Sequence, residues 1–251
     1  MTHPRQKTAG FTLVEMSIVI VIIGLIVGGV IGGRSYIRNA ELNTVMNESK
    51  YYINQFNQFQ SIYSALPGDM ATANVVWPGA ASNGDGNGII RAATLANTAE
   101  IFYAFAHLAN ASLINGSYTG ATVGGVGTFD ARIGTNVPNG KVIGITYIFD
   151  HPDATDGNVS GDAFYFDGLY GNVLRVAGHA ASASGLPATA FLTPKEAYQI
   201  DDKFDDGVPA TGWVLPPNRT AQANCTTAGG AYDTGATNGG TANCILILQM
   251  R

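Results

Sequence analysis

The hydrophobic pattern divides the chain into two different regimes before any single residue is considered. Residues 11–33, FTLVEMSIVIVIIGLIVGGVIGG, are apolar almost without a break. As an α-helix rising about 1.5 Å per residue, this run spans about 34 Å, enough to cross a hydrocarbon core of about 30 Å. Beyond Arg34 the pattern becomes periodic. Leu42, Val45, Ser49, Tyr52, Phe56, Phe59, Tyr63 and Leu66 recur every three or four residues, which is one stripe on a helix, while Asn, Gln, Glu and Lys fill the other faces. The spacing predicts an amphipathic continuation over 34–66 whose stripe packs against a globular head, with Pro67-Gly68 as its stop.

Residues 67–251 read as that head. A loop over 67–93 is followed by a predicted helix over 94–114, with Leu95, Ile101, Phe102, Phe105 and Leu108 inward and His107 on the surface. From about residue 120 the pattern turns to β. KVIGITYIF (141–149), DAFYF (162–166) and NVLRV (172–176) are short β-branched or aromatic runs bounded by Gly, Asp and Asn. Thr193-Pro194-Lys195-Glu196 is a capping box that opens a helix through about Asp205. Ala197, Ile200 and Phe204 form its inner side, and Asp201, Asp202, Asp205 and Asp206 a solvated acidic face. CILILQM (244–250) reads as a buried terminal strand. The expected class is α+β: a long N-terminal helix packed on a head with an antiparallel sheet.

Composition sharpens this picture. Only 12% of residues are charged, about half the usual share, and 32 are glycine, so loops are extensive. The net charge of −5 and the lack of a basic patch in the head exclude nucleic acid as an expected partner. Cys225 and Cys244 are the two cysteines. They are either two buried thiols or one disulfide; an even count in an exported chain favours the bond, which needs an oxidising compartment.

The informative anomaly is Glu15. A carboxylate early in an apolar span costs about 2.5–3.5 kcal/mol on insertion scales, so it marks a function by default. Neither a secretory signal peptide nor a simple anchor accounts for it. The leader MTHPRQKTAG carries Arg5 and Lys7, which places the N-terminus on the cytoplasmic side. Together, the basic leader, Gly10-Phe11 and Glu15 resemble the processing site of type IV pilins and of type II secretion pseudopilins. That resemblance implies cleavage after Gly10 by a prepilin peptidase, methylation of the new N-terminus at Phe11, and pairing of Glu15 with a neighbouring subunit's amine during assembly. It implies residues 1–10 as leader, 11–33 as membrane and assembly helix, 34–66 as its continuation and 67–251 as head. It further implies a bacterial inner-membrane precursor that joins a homo-oligomeric filament, with other pilin-like subunits, in the periplasm or at the cell surface. The motif is shared by adhesive pili and by secretion pseudopilins. The chain departs from many family members in having no proline within 11–66; Gly28, Gly29, Gly32 and Gly33 stand mid-helix instead.

Two loops invite a metal. Asn83, Asp85 and Asn87 in NGDGNGII sit at alternate positions, as oxygen ligands do at the start of a calcium loop, but Thr94 replaces the usual closing glutamate and Glu100 lies further along. Asp153, Asp156, Asn158 and Asp162 form a second acidic turn. Both are equally turn chemistry, so no cofactor is required and calcium is an optional ligand. No nucleophile elbow, zincin helix, P-loop or C-x-x-C is present. Asp150, His151 and Ser160 are the nearest thing to a hydrolytic set, and nothing activates the serine. The expectation is a structural subunit, with a membrane-anchored binding protein or hydrolase as the competing class.

Overall fold

The computed structural model describes residues 10–93, 98–121, 130–151, 171–179, 185–216, 224–227, 229–235 and 239–250. The chain divides into two compact units, residues 1–43 and 44–251. Helix α1 (Leu13–Tyr63) runs through both.

Over residues 13–30 the helix is apolar on nearly all sides and covered on none. Leu13, Ile20 and Leu25 are among many large side chains left exposed, and no part of its most apolar window is buried. A helix hydrophobic all round belongs in lipid or among other helices. Gly28, Gly29, Gly32 and Gly33 lie within the continuous helix, and a methyl group added at any of them would meet nothing.

In the second unit the stripe is buried as its spacing predicts. Val45, Ser49, Tyr52, Phe56 and Phe59 are inaccessible, joined by Met46, which fills the row beside Val45. The helix ends at Tyr63, earlier than Pro67 suggests. Ser64 adopts a left-handed conformation (φ 52°), and its N–H donates to the Gln60 carbonyl at 2.9 Å, closing the last turn.

The sheet is antiparallel, in the order β3 (Ile145–Asp150), β4 (Val173–Gly178), β6 (Leu246–Gln249), β5 (Val214–Leu215). Residues 141–144 form a turn rather than the start of β3, because Gly144 takes a left-handed φ of 82° and Ile145 N–H returns to the Val142 carbonyl. β3 and β4 are buried at every position, so both sheet faces are covered. Aromatic rings join α1 to β3: Tyr52 to Tyr147 at 4.9 Å and Phe56 to Phe149 at 5.0 Å between centroids. The buried Glu48 carboxylate fixes their register by accepting from the Tyr147 hydroxyl (3.0 Å) and the Lys141 N–H (2.9 Å). A buried ion pair between Arg175 and Asp150 ties β4 to β3.

Helix α3 (Glu100–Asn110) begins six residues later than its apolar pattern suggests, because Ala92–Ala93 and Thr98–Ala99 pair as short strands β1 and β2 just before it. A short α2 (Ala73–Val76) lies in the preceding loop. Helix α4 (Pro194–Phe204) starts as expected: Thr193 Oγ1 accepts from Glu196 N–H, and Glu196 Oε2 accepts from Thr193 N–H at 2.9 Å. The 162–166 run lies outside the described residues.

Candidate functional site

The N-terminal site begins outside any helix. Gly10 and Phe11 are exposed and irregular, and Phe11 is 80% accessible. The helix proper opens with Thr12. Its N–H and its hydroxyl both donate to Glu15 Oε2 at 2.8 Å, and Glu15 N–H donates back to Thr12 Oγ1 at 3.2 Å. This is a reciprocal capping box, in which two otherwise orphaned amides and the carboxylate satisfy one another. Glu15 lies in the first turn, where the helix dipole also favours negative charge. The apolar run therefore presents an exposed glycine, an aromatic residue and one locally held carboxylate, in that order.

A family model described as the prokaryotic N-terminal methylation motif matches residues 5–31. The chain carries the type IV pilin and pseudopilin signature. No curated protein and no solved structure matches the chain significantly. The methylation motif covers Gly10, Phe11, Glu15 and most of the apolar span, and the head lies outside it.

Away from the methylation motif, the second chemically dense place is the loop from Pro67 to Arg91. Gly68 takes φ 95° in close contact with the Glu100 backbone, which leaves no room for a side chain. Asp69 follows at once. Its Oδ1 accepts from Gly86 N–H (2.7 Å) and Asn87 N–H (3.0 Å), and its Oδ2 accepts from Gly88 N–H (2.8 Å). Glu100, at the start of α3, accepts from Asp85 N–H (3.0 Å) and Arg91 N–H (3.3 Å). Two buried carboxylates thus bind five amides of one loop. Gly84 crosses directly against Gly68 and Asp69 at a distance only glycine permits.

The expected calcium ligands are only partly brought together. Asp85 and Asn87 contact each other, Asn87 Nδ2 donating to Asp85 Oδ2 at 2.8 Å, but Asn83 Oδ1 turns to the Asn74 N–H. The oxygens that converge belong instead to Asp69, Asp85 and Glu100, all within 4.8 Å of one another. Among the described residues these, and Asp201 with Asp205 and Asp206, are the groups with geometry for a cation. Burial pushes the Glu100 carboxyl up to about 7, although the amides of Asp85 and Arg91 favour its charged form; burial raises Asp69 likewise. Asp153, Asp156, Asn158 and Asp162 lie outside the described residues, as does Ser160.

Two sequence expectations are corrected here. His107 is not on the surface but fully buried, its ring stacked on Phe59. Its Nδ1 accepts from Gly68 N–H at 2.9 Å, so Nε2 carries the proton toward the Ser82 carbonyl at 2.8 Å. Burial holds its pKa below the ordinary value. Nor is the acidic face of α4 merely solvated. Asp201 is buried and accepts from the Tyr232 hydroxyl (2.7 Å) and Gly207 N–H (3.1 Å), and Asp205 accepts from the backbone of Trp213 and Val214.

Cys225 and Cys244 form a disulfide, with their Cα atoms 5.1 Å apart. The Gly/Thr/Asn-rich span between them is not wholly external, because it delivers the buried Tyr232 to Asp201.

Proposed function

We propose that this chain is a structural subunit of a type IV pilus-like filament. It is cut after Gly10 by a prepilin peptidase, methylated at Phe11, and assembled through α1 with copies of itself and with other pilin-like subunits. Before assembly it sits in the bacterial inner membrane with its N-terminus cytoplasmic, and afterwards it stands in the periplasm or at the cell surface. The observation that carries this reading is Glu15: one carboxylate, held by its own helix start, at the head of an apolar stretch that no described residue covers. Such a group has an obvious partner in the amine created by cleavage at Phe11, because each charge is costly in an apolar bundle and the pair offsets that cost. A pseudopilin of a type II secretion system would use the same steps in a short periplasmic filament.

Mass spectrometry of the mature N-terminus tests the reading. The expected product begins at Phe11 and carries one methyl group on its amine. A mature start near Ser35 would instead mean an ordinary signal peptide and end the proposal.

A further inference from the structure

A cleft of about 480 Å³ opens where three distant segments meet: α1 around Tyr51, the stretch after α3, and the turn before β3. Its size lies within the range of small-molecule sites, about 300–1,000 Å³. Tyr51 stands at the rim, 40% exposed. Its ring is fixed from two sides. The hydroxyl donates to the Leu113 carbonyl at 3.1 Å, and the ring edge packs on Tyr52 with centroids 5.4 Å apart. Tyr118, held against Phe105, and buried Ile114 also line the cleft.

Three side-chain amides surround these rings: Asn47, Asn115 and Asn139, all exposed. None of them makes a hydrogen bond to another described residue, so each presents both a donor pair and an acceptor. Lys141 and Glu48 add one charge of each sign, and the Glu48 carboxylate is already engaged by Tyr147 and by the Lys141 backbone.

We propose that this cleft binds a neutral saccharide, laid on the Tyr51 ring and held through its hydroxyls by Asn47, Asn115 and Asn139. Sugars offer an apolar C–H face and a rim of hydroxyls that both donate and accept. Rigid tyrosines bordered by amides match both surfaces at low entropic cost. The other ligand classes fit less well. An extended peptide needs a free strand edge and an amphipathic helix needs a continuous apolar floor; the cleft has neither. A nucleic acid needs a positive field, and the cleft has one cation balanced by one anion.

The test uses the full chain in detergent micelles, without filaments, so its outcome does not depend on assembly. The probes are immobilised neutral oligosaccharides, with acidic oligosaccharides and a random-sequence peptide as competitors. At least one neutral sugar is retained. Its affinity falls tenfold or more in Tyr51→Ala and in Asn139→Ala, and changes little in Tyr51→Phe, which keeps the ring. Asn139 is exposed, so its variant remains informative should Tyr51→Ala unfold. The proposal is overturned if no neutral sugar binds at about 10 mM, if both alanine variants bind as wild type, or if the peptide or an acidic sugar competes best.

Discussion

Thr12 and Glu15 are locked together before any neighbour arrives: two donors from Thr12 converge on one oxygen of Glu15 at 2.8 Å. The carboxylate that the methylation motif places in the apolar run therefore has part of its hydrogen-bonding need met by its own helix start. In the proposed assembly this local partner is exchanged for a subunit amine.

Glu15→Leu should insert and be cleaved, yet fail to enter filaments, since it removes the carboxylate proposed to pair with the neighbour's amine, together with its two hydrogen bonds from Thr12. Insertion itself should improve, as the substitution removes a carboxylate from the span. Thr12→Val should keep the residue-12 N–H bond to Glu15 but lose both bonds of the hydroxyl, weakening the helix start by about 1 kcal/mol. Its precursor should partition less completely into the membrane fraction than wild type. Wild-type filament numbers from Glu15→Leu would refute the pairing role, and unchanged partitioning of Thr12→Val would refute the local one.

Gly10→Val should accumulate as uncut precursor. Gly10 is exposed, and a methyl group there would meet nothing within the chain, so any block arises in the peptidase and not from misfolding. Immunoblotting shows it as a band of precursor size; a mature-sized band would place the cut elsewhere.

Glu100 gives a pH signature. Its folded carboxyl titrates at about 7, above its ordinary 4.5, because it is buried. The folded chain therefore keeps a proton that the unfolded chain releases between those values, and this group's contribution to stability grows as pH falls from about 8 to about 5. The full excursion is about 3 kcal/mol. His107 acts in the opposite sense, losing stability below its ordinary pKa, because its folded value is lowered. Comparison with Glu100→Gln isolates the carboxylate. Wild type should gain on the variant as pH falls, read from Tm at each pH; a constant difference would show that Glu100 does not titrate in this range.

Cys225→Ser with Cys244→Ser should lower head stability by about 2–4 kcal/mol while leaving membrane insertion and cleavage intact. Tyr232→Phe should cost about 1–3 kcal/mol with the disulfide still closed, because it strips a hydrogen bond from buried Asp201. Thermal unfolding measures both. If Tyr232→Phe has no effect, the span between the cysteines is not anchored through Asp201.

What the sequence made legible was what repeats. The apolar run and the stripe from Val45 to Phe59 are periodic, so burial follows from spacing alone. The capping box at Thr193 is local and was equally plain. The loop carboxylates were not, because Asp69 binds amides 17 to 19 residues away and Glu100 reaches back 15 to Asp85. Backbone donors have no side-chain signature. The available signal was an aspartate directly after Pro67-Gly68, upstream of a run of alternating glycines. His107 misled for a related reason. Its neighbours in α3 are apolar on more than one side, and its partners, Gly68 and Ser82, are again backbone groups.

The place of β6 in the sheet has a consequence for the order of events in the cell. Residues 246–249 are made after both β4 and β5, yet they sit between them and pair with both. Until they arrive, β5 has no described strand to pair with and β4 has an open edge. Cys244, two residues upstream, cannot meet Cys225 any earlier. A head built this way cannot close until β6 has been made, so a ribosome that stops before residue 244 leaves a chain that carries every feature of the N-terminal helix but can complete neither its sheet nor its disulfide.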